Sequence, residues 1–307
     1  MNSSDLTDAL EALRITNIPW EGVLVDMDCG TGTVAVVDTW LSAREAEGNY
    51  HYALLNTRSK NKPAPSAESE STYATAMTAI AEVSASARVG VGTDGANMTS
   101  LVTGLYMWRP TSLFTAGRLA KIAVGTDAAY VADGPLTGAT IAASTGNPQW
   151  HDEMLYPGLD AQRLITVRTV PGKQGVFINN ANTIASTGSD YVFMQHLRTM
   201  NQACMTAFDV LTTQLGRGVG KKEADPTTGL VYIREEDASL IDGLVNDALA
   251  TPLKGQVSSY AFALSRTDDL SANSGATIHA ELQVEGLGYI KGFAVNAKFV
   301  KTISVNI

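Results

Sequence analysis

The stretch from Gln214 to Asp225, QLGRGVGKKEAD, has the glycines and lysines of a phosphate-binding loop. Such a loop needs two glycines separated by four residues, then Lys and then Ser or Thr, between a strand and a helix, so that backbone N–H groups face the anion. Here Gly216 and Gly220 are separated by three residues, and Lys222 stands where the magnesium-binding hydroxyl belongs. The stretch also follows a predicted helix. We therefore expect an exposed basic loop and no nucleotide site.

A second glycine-containing turn, GTGTVA from Gly30 to Ala35, follows a predicted strand and opens a helix, as the dinucleotide fingerprint does. That fingerprint also needs an acidic residue at the end of the second strand to hold the ribose hydroxyls. The sequence has Asn56, Thr57 and Arg58 at that place. Because Arg58 is compatible with a phosphorylated ribose, two interpretations stay open: an NADP-type site and an ordinary strand-to-helix turn.

Candidate metal ligands are dispersed along the chain. The histidines lack metal spacings such as HxH or HExxH, and neither Cys29 nor Cys204 has a partner two or three residues away. Asp26 and Asp28 lie at the carboxyl end of a predicted strand, but a second set of ligands is missing from the pattern. We predict no metal site, and we predict that both cysteines are reduced, mostly buried thiols.

A local acid–base cluster is formed by His151, Asp152 and Glu153 in WHDEM, and we predict that it is a solvated loop. A hydrolase triad has no nucleophile to start from, because no G-x-S-x-G turn is present. Apart from the NADP-type alternative at Gly30 to Ala35, the sequence therefore predicts no catalytic residue, no cofactor and no enzyme.

Composition narrows the range of partners. The 307 residues are 45% hydrophobic and only 17% charged, with a net charge of −9. This charge disfavours direct binding to nucleic acid or to an anionic membrane surface. No run approaches the length of about eighteen apolar residues that a membrane span needs. Because few residues are charged, either the surface consists largely of Ala, Gly, Ser, Thr and Asn, or much of it is covered by partner proteins.

Strand and helix patterns alternate over the first half of the chain. GVLVDM, YHYALLN and RVGVG read as buried strands, and residues 34–45 and 73–84 as helices. This order predicts an α/β fold with a mainly parallel sheet and flanking helices, which we assign to a first domain at residues 1–150.

The second half, residues 151–307, reads as an α+β domain. It begins with a hairpin around a Pro-Gly turn and ends with three strands. A helix is predicted near residues 113–124, a long one from Ser189 as N-cap to Leu215, and another near residues 235–250. The long helix is predicted to bury one apolar stripe, which consists of Phe193, Leu197, Met200, Cys204, Phe208, Leu211 and Leu215.

The last segment, FAVNAKFVKTISVNI, alternates apolar and polar residues and is broken only by Lys301. Fifteen residues of strand would reach about 50 Å, far beyond a usual strand of five or six residues. Two strands joined by a turn near residues 300–302 are one interpretation, although no Gly, Pro, Asn or Asp lies there to make the turn. We favour a strand that pairs with a neighbouring subunit. Its linking residues would be Phe293, Val295, Ala297, Phe299, Ile303, Val305 and Ile307.

The order of three segments resembles the contractile tail sheath proteins of bacteriophages and related injection particles. These are SLFTAGRLAKIAVGTDAAYVADGPLTGA, LDAQRLITVRTVPGKQGVFINNANTIA and DYVFMQHLRTMNQA, followed by a closing β segment. The resemblance is clear from about residue 100 onward and loose before it. The matching positions are Ser112, Ala116, Gly117, Asp127, Pro135, Leu136, Gly138, Pro171, Gly172, Gly175, Asn182, Thr183 and Arg198.

The resemblance implies a structural role without nucleotide hydrolysis. Sheath subunits stack as rings around a tail tube, are linked by exchanged terminal strands, and contract by rigid-body movement. The implied partners are identical subunits, the tail tube protein, and baseplate and tail terminator proteins, in a virion tail assembled in the host cytoplasm. Family members usually carry an N-terminal arm, whereas the first recognisable helix here begins near Asp5. An NADP-type oxidoreductase and another tail or baseplate component are the alternatives.

Overall fold

The computed structural model describes residues 3–15, 20–60, 68–83, 85–100, 102–142, 150–186, 188–224, 229–271 and 277–291. The helices are α1 (Ser3–Ile15), α2 (Thr33–Ala46), α3 (Glu70–Val83), α4 (Thr111–Leu119), α5 (Met194–Thr213) and α6 (Glu235–Ala250). The strands are β1 (Gly22–Asp28), β2 (Tyr52–Asn56), β3 (Val89–Gly92), β4 (Gly95–Thr99), β5 (Tyr106–Pro110), β6 (Ala139–Thr140), β7 (Val167–Thr169), β8 (Val176–Ile178), β9 (Val257–Leu264) and β10 (Ala280–Gly286).

The first half of the chain builds a parallel sheet with strand order β1-β2-β3. Successive residues of the central strand β2 point to opposite faces of the sheet, as strand geometry requires. Ala53 and Leu55 join the core formed with α1, α2 and α3. Tyr52 and Leu54 join a second core, to which α4 contributes Leu119. Because both faces are covered by helices, the predicted α/β class is confirmed.

A second sheet, which the sequence did not reveal, follows β3. Strand β4 pairs antiparallel with both β5 and β6. Its sequence GANMT has no apolar alternation, so the pattern gave no signal. The helix predicted at residues 113–124 is wrong at both ends, because α4 starts at Thr111 directly after Pro110 and ends at Leu119. The guanidinium of Arg118 then donates to the carbonyls of Asp133 and Gly134, which holds the chain that leaves this helix.

Helix α5 begins at Met194, five residues later than the predicted N-cap Ser189. Residues 191–193 are held against residues 181–183, where the N–H of Met194 donates to the carbonyl of Ala181 at 2.8 Å. A helix cannot start while the backbone is bonded in this extended pairing. The predicted buried stripe is also incorrect toward its end, since Phe208 is 45% and Leu215 is 79% exposed.

The remaining predictions for the second half hold where the structure describes the chain. Strands β7 and β8 form the expected hairpin, and α6 spans the predicted residues 235–250. Helices α5 and α6 and strands β9 and β10 enclose a third core, which contains Ala203, Ala207, Ile241, Val245, Leu249, Leu253, Phe262 and Leu264. Two of the three predicted closing strands are therefore present. The third lies outside the described residues, and the division at residue 150 stays a prediction.

Candidate functional site

The segment from His151 to Glu153 lies inside the molecule, which corrects the prediction of a solvated loop. His151 is only 2% exposed, and Asp152 is completely buried. The imidazole lies between two carboxylates, with Nδ1 3.0 Å from Glu70 and Nε2 3.1 Å from Glu153. Lys60 forms an ion pair with the other oxygen of Glu70. The prediction was wrong because Glu70 lies 81 residues earlier in the chain, beyond any local pattern.

Charge balance sets the protonation state of His151. Burial by itself lowers the pKa of this imidazole, but the hydrogen bonds and charges of Glu153 and Glu70 outweigh burial and raise the pKa to about 9. Burial likewise acts to raise the pKa of Glu70, yet His151 and Lys60 hold that pKa below its usual value. At neutral pH both ring nitrogens of His151 therefore donate to carboxylates.

Asp94 and Glu153 use their carboxylates to tie loops together. Asp94, fully buried with φ at 49°, accepts the backbone N–H of Lys60 at 3.2 Å and of His151 at 2.8 Å. Burial raises the pKa of Asp94, and these two hydrogen bonds oppose that rise. Glu153 accepts the N–H of Gly158 at 2.7 Å. Because these oxygens accept hydrogen bonds from the protein's own backbone and His151 is closed off from solvent, the group joins loops of the fold.

The turn from Gly30 to Ala35 is an ordinary connection in its geometry. The N–H of Gly30 donates to the hydroxyl of Thr33 at 3.1 Å, and α2 begins at that residue. Arg58, which an NADP-type site would need, donates instead to both oxygens of Glu68 at 2.7 and 2.9 Å. Asn56 is buried. Arg58 is thus engaged within the protein, and Asn56 is closed off from solvent.

The other candidate ligands are not brought together. His51 stacks on a tryptophan with ring centroids 3.7 Å apart. His196 lies 2.8 Å from the carbonyl oxygen of Asp190, and His279 pairs with Asp268 at the surface. Among the residues that the structure describes, no group of three or more His, Cys, Asp or Glu side chains could hold a metal ion. In the same part of the chain, none of the helices combines the length and apolar character needed to cross a bilayer.

The strand-end carboxylates and the thiols lack reactive surroundings. Asp26 and Asp28 are exposed on β1. Cys29 is buried, Cys204 is half-buried, and both are free thiols. Burial raises the pKa of each thiol to about 11. Both therefore stay protonated at neutral pH, and a protonated thiol is a poor nucleophile.

The glycine-rich stretch after α5 is the basic loop that the sequence predicts. Gly216 has φ at 77°, the left-handed conformation expected of a glycine just past a helix. The N–H of Gly220 donates to the carboxylate of Asp237 at 2.7 Å, so a side chain of the protein takes the place that a phosphate would need. Arg217, Lys221 and Lys222 are exposed around it.

The carboxyl-terminal sheet has one blocked edge. Strands β9 and β10 pair antiparallel, with Leu282 opposite Phe262. On the far side of β9, the N–H of Phe262 donates to the side chain of Asn246 at 3.0 Å, and the N–H of Leu264 donates to that of Asp242 at 2.8 Å. The side-chain amide of Asn246 also donates to the carbonyl of Phe262. Helix α6 therefore satisfies the outer edge of β9 at Phe262 and Leu264.

The outer edge of β10 is different. Antiparallel pairing places the backbone groups of directly opposite residues on matching sides. Because Phe262 and Leu264 point their N–H groups away from β10, their partners Leu282 and Ala280 point theirs away from β9. Within the described strands, β10 pairs with β9 alone. Asp242 and Asn246 are polar residues beside the buried face of α6, and this is the part of the arrangement that the sequence contains. Their spacing alone does not show that they bond to a strand edge.

The segment that follows β10 is fastened to the body of the protein. The hydroxyl of Tyr289 donates to the carbonyl of Gly125 at 2.6 Å. The ammonium of Lys291 pairs with Asp127 and donates to Asn180 at 2.8 Å. Residues 287–291 thereby close one side of a cavity of about 660 Å³. Asp127 is a position that carried the sheath resemblance, and it fixes the place from which the terminal residues depart.

The predicted linking residues follow this anchor and lie outside the described residues. They are Phe293, Val295, Ala297, Phe299, Ile303, Val305 and Ile307. Of the other positions that carried the resemblance, Arg198 is almost completely buried and donates to Glu21 at 2.5 and 3.2 Å. This pair joins α5 to the start of β1.

Residues 1–182 match a family model described as DUF2586, N-terminal domain. No curated protein matches the chain in sequence. A chain of the anti-feeding prophage baseplate has a similar structure, with a TM-score of 0.59 and 12% identity over 98% of this chain and 74% of that chain. The sheath tail protein of Desulfitobacterium hafniense has a TM-score of 0.54 and 9% identity over 94% of this chain and 60% of its own. The sheath tail protein Lin1278 of Listeria innocua has a TM-score of 0.50 and 12% identity over 92% of this chain and 60% of its own.

At these identities the likeness is one of fold, and at that level the predicted resemblance to sheath proteins is confirmed. The chain spans about three fifths of the length of the two sheath tail proteins.

Proposed function

The chain belongs to the DUF2586 family, and on that premise we propose that it is a structural subunit of a contractile tail, in the role of a sheath protein. Identical subunits polymerise around a tail tube and meet baseplate and terminator proteins at the two ends. The fold shared with sheath tail proteins and with a prophage baseplate chain supports a structural role over an enzymatic one. The location that follows is the tail of a virion or of an injection particle.

The observation that carries this proposal is the asymmetry of the carboxyl-terminal sheet. Asn246 and Asp242 occupy the outer edge of β9, whereas Ala280 and Leu282 on β10 direct backbone groups outward. An open strand edge is a template for a further strand. We infer that β10 accepts a strand from a neighbouring copy.

The donor in this proposal is the segment from Phe293 to Ile307, whose apolar residues alternate as those of a half-buried strand do. It leaves the body just past Lys291, which Asp127 and Asn180 hold in place. In this proposal, the anchor at Lys291 fixes the point from which the donor reaches a neighbouring copy.

Contraction then requires movement between subunits that stay connected. Subunits slide as rigid bodies while exchanged strands keep the lattice continuous, and the free energy is stored at assembly behind a kinetic barrier. Such a mechanism uses no nucleotide, in keeping with a glycine-rich loop whose Gly220 N–H is bonded to Asp237.

The experiment is a matched pair of perturbations on donor and acceptor. Deleting residues 298–307 removes most of the donor strand. Ala280→Pro removes one outward N–H from the acceptor, and Ala280→Val keeps that N–H at the same exposed site. We expect the truncated chain and Ala280→Pro to stay monomeric in size-exclusion chromatography and negative-stain microscopy, while Ala280→Val assembles. Intact tubes from the truncated chain would refute the linkage.

A baseplate component is a second candidate, because the prophage baseplate chain is covered to 74%, more than either sheath tail protein. Electron microscopy separates the two roles, since a baseplate protein would stop at a closed ring and a sheath protein would stack rings into a tube. The oxidoreductase alternative predicts dinucleotide binding at Gly30 to Ala35. A calorimetric titration with the dinucleotide that shows no heat of binding would exclude this alternative.

A further inference from the structure

Helix α6 has a buried face and an exposed acidic face. Its sequence EEDASLIDGLVNDALA contains Glu and Asp but no Lys or Arg. The buried positions are Ala238, Ile241, Val245 and Leu249. On the opposite side Leu240 is 48% and Leu244 is 40% exposed, and Glu236 and Asp247 are exposed one turn before and after them. We call Glu236, Leu240, Gly243, Leu244 and Asp247 the acidic face of α6.

A groove with an apolar floor and a cationic rim lies at the carboxyl-terminal end of α5. It has a volume of about 540 Å³, within the range of pockets that bury ligands or side chains. Its apolar lining consists of Leu211, Leu215, Val219, Ile241, Leu264, Leu270, Ile278 and Ala280. The charged side chains that line it are Arg217 and Lys221, both exposed and both cationic. We call this depression the basic groove.

Leu215 leaves a large apolar side chain exposed at the groove. This side chain is 79% exposed in the subunit, although it continues the apolar spacing of α5. Large apolar side chains that are grouped and rimmed by charges mark interaction sites. The groove therefore has both parts of a docking site, an apolar floor that gains from burial and a cationic rim that selects an acidic partner.

The acidic face of α6 supplies the matching chemistry. Two leucines one turn apart form a compact apolar ridge, and Glu236 and Asp247 flank it with carboxylates. Ile241, on the buried face of the same helix, already lines the basic groove. The acidic face thus points away from the groove of its own subunit, and the two surfaces can meet only between copies.

We propose that the acidic face of α6 on one copy docks into the basic groove of the next copy. This inference rests on the proposed self-assembly. The basic groove reaches the acceptor strand β10 at Ala280, but its charged residues, Arg217 and Lys221, lie on the loop after α5. Because the two surfaces differ, the contact is head-to-tail. Repetition of a head-to-tail contact produces a ring or an open helical row. The leucines supply the buried area, and the charge pairs fix the register of docking.

Charge reversal tests the pairing directly. The helix-reversed chain carries Glu236→Lys and Asp247→Lys, and the groove-reversed chain carries Arg217→Glu and Lys221→Glu. Each alone places like charges across the contact, so we expect the concentration at which full-length chains assemble to rise about tenfold or more. Mixed in equal amounts, each chain offers the charge that the other lacks, and assembly should return to the wild-type concentration. Sedimentation velocity over a concentration series measures both effects.

Two further variants separate docking from folding and from general charge effects. Asp8→Lys with Glu82→Lys makes the same change in net charge as the helix-reversed chain, but at exposed sites on α1 and α3, and it should assemble as the wild type does. Leu240→Gln with Leu244→Gln removes the apolar ridge at unchanged charge, and it should lose assembly. Thermal unfolding monitors the fold of every variant.

Assembly of both reversed chains at the wild-type concentration would overturn the inference. Failure of their mixture to recover assembly would overturn it as well. If truncation of residues 298–307 abolishes assembly in the same assay, the proposed function stands without the groove contact. A wild-type chain that stays monomeric at every concentration would defeat both proposals.

Discussion

Replacing His151 with glutamine removes the imidazolium that Glu70 and Glu153 hold between them. The folded pKa of about 9 lies above the ordinary histidine pKa of 6.5. A group whose pKa rises on folding adds stability that is complete below the unfolded pKa and is lost as the pH rises through the folded pKa. The relevant window for His151 is therefore pH 6.5 to 9.

The magnitude follows from these two values. Linkage gives about 2.5 kcal/mol of stabilisation at pH 7 and about 0.4 kcal/mol at pH 9, a loss of about 2 kcal/mol. The raised pKa values of Cys29 and Cys204 act in the same direction near pH 9, but they contribute equally to wild type and variant. The difference between the two proteins isolates the histidine.

Urea unfolding at pH 7, 8 and 9, followed by tryptophan fluorescence, measures this difference. We expect the free energy of unfolding of the wild type to fall by about 2 kcal/mol more than that of His151→Gln across the window. His279→Gln, at a histidine whose side chain is 78% exposed, serves as the control and should follow the wild type. Parallel loss of stability in wild type and His151→Gln would refute the argument.

Two pairs of substitutions test other contacts by the same unfolding assay. At the Arg198–Glu21 pair, Glu21→Gln should lower the free energy of unfolding by about 3 kcal/mol, because it leaves a buried guanidinium without its carboxylate. Arg198→Met should lower it by about 1 kcal/mol, because Glu21 can turn to water. The reverse order would contradict the burial assigned to Arg198. Gly48→Ala should cost about 1–2 kcal/mol, because φ is 82° and the new methyl group meets the ring of Phe208, while Gly117→Ala, in open space within α4, should be neutral or stabilising.

Local patterns predicted the elements whose determinants are local. The strands β1 to β3 are short apolar runs between turn residues, and α6 is bounded by Pro252 and an acidic first turn. The start of α5 was missed because a distant backbone, at residues 181–183, holds residues 191–193 extended. Periodicity within the helix carries no information about such a partner.

The cluster around His151 also depends on partners that are distant in sequence. WHDEM reads as a polar loop until Lys60, Glu70 and Asp94 are brought around His151 by the fold. The open edge of β10 follows from a backbone register and from two side chains of α6, which no single segment reveals. Apolar spacing did identify Leu215, but only the structure shows that this side chain faces solvent.

The most direct test of the central claim is electron cryo-microscopy of assemblies formed by the full-length chain. We predict density for residues 293–307 running beside β10 of a neighbouring copy, with backbone hydrogen bonds to Ala280 and Leu282. Density that returns these residues wholly to the sheet of their own copy, with no contact to another, would contradict the proposal.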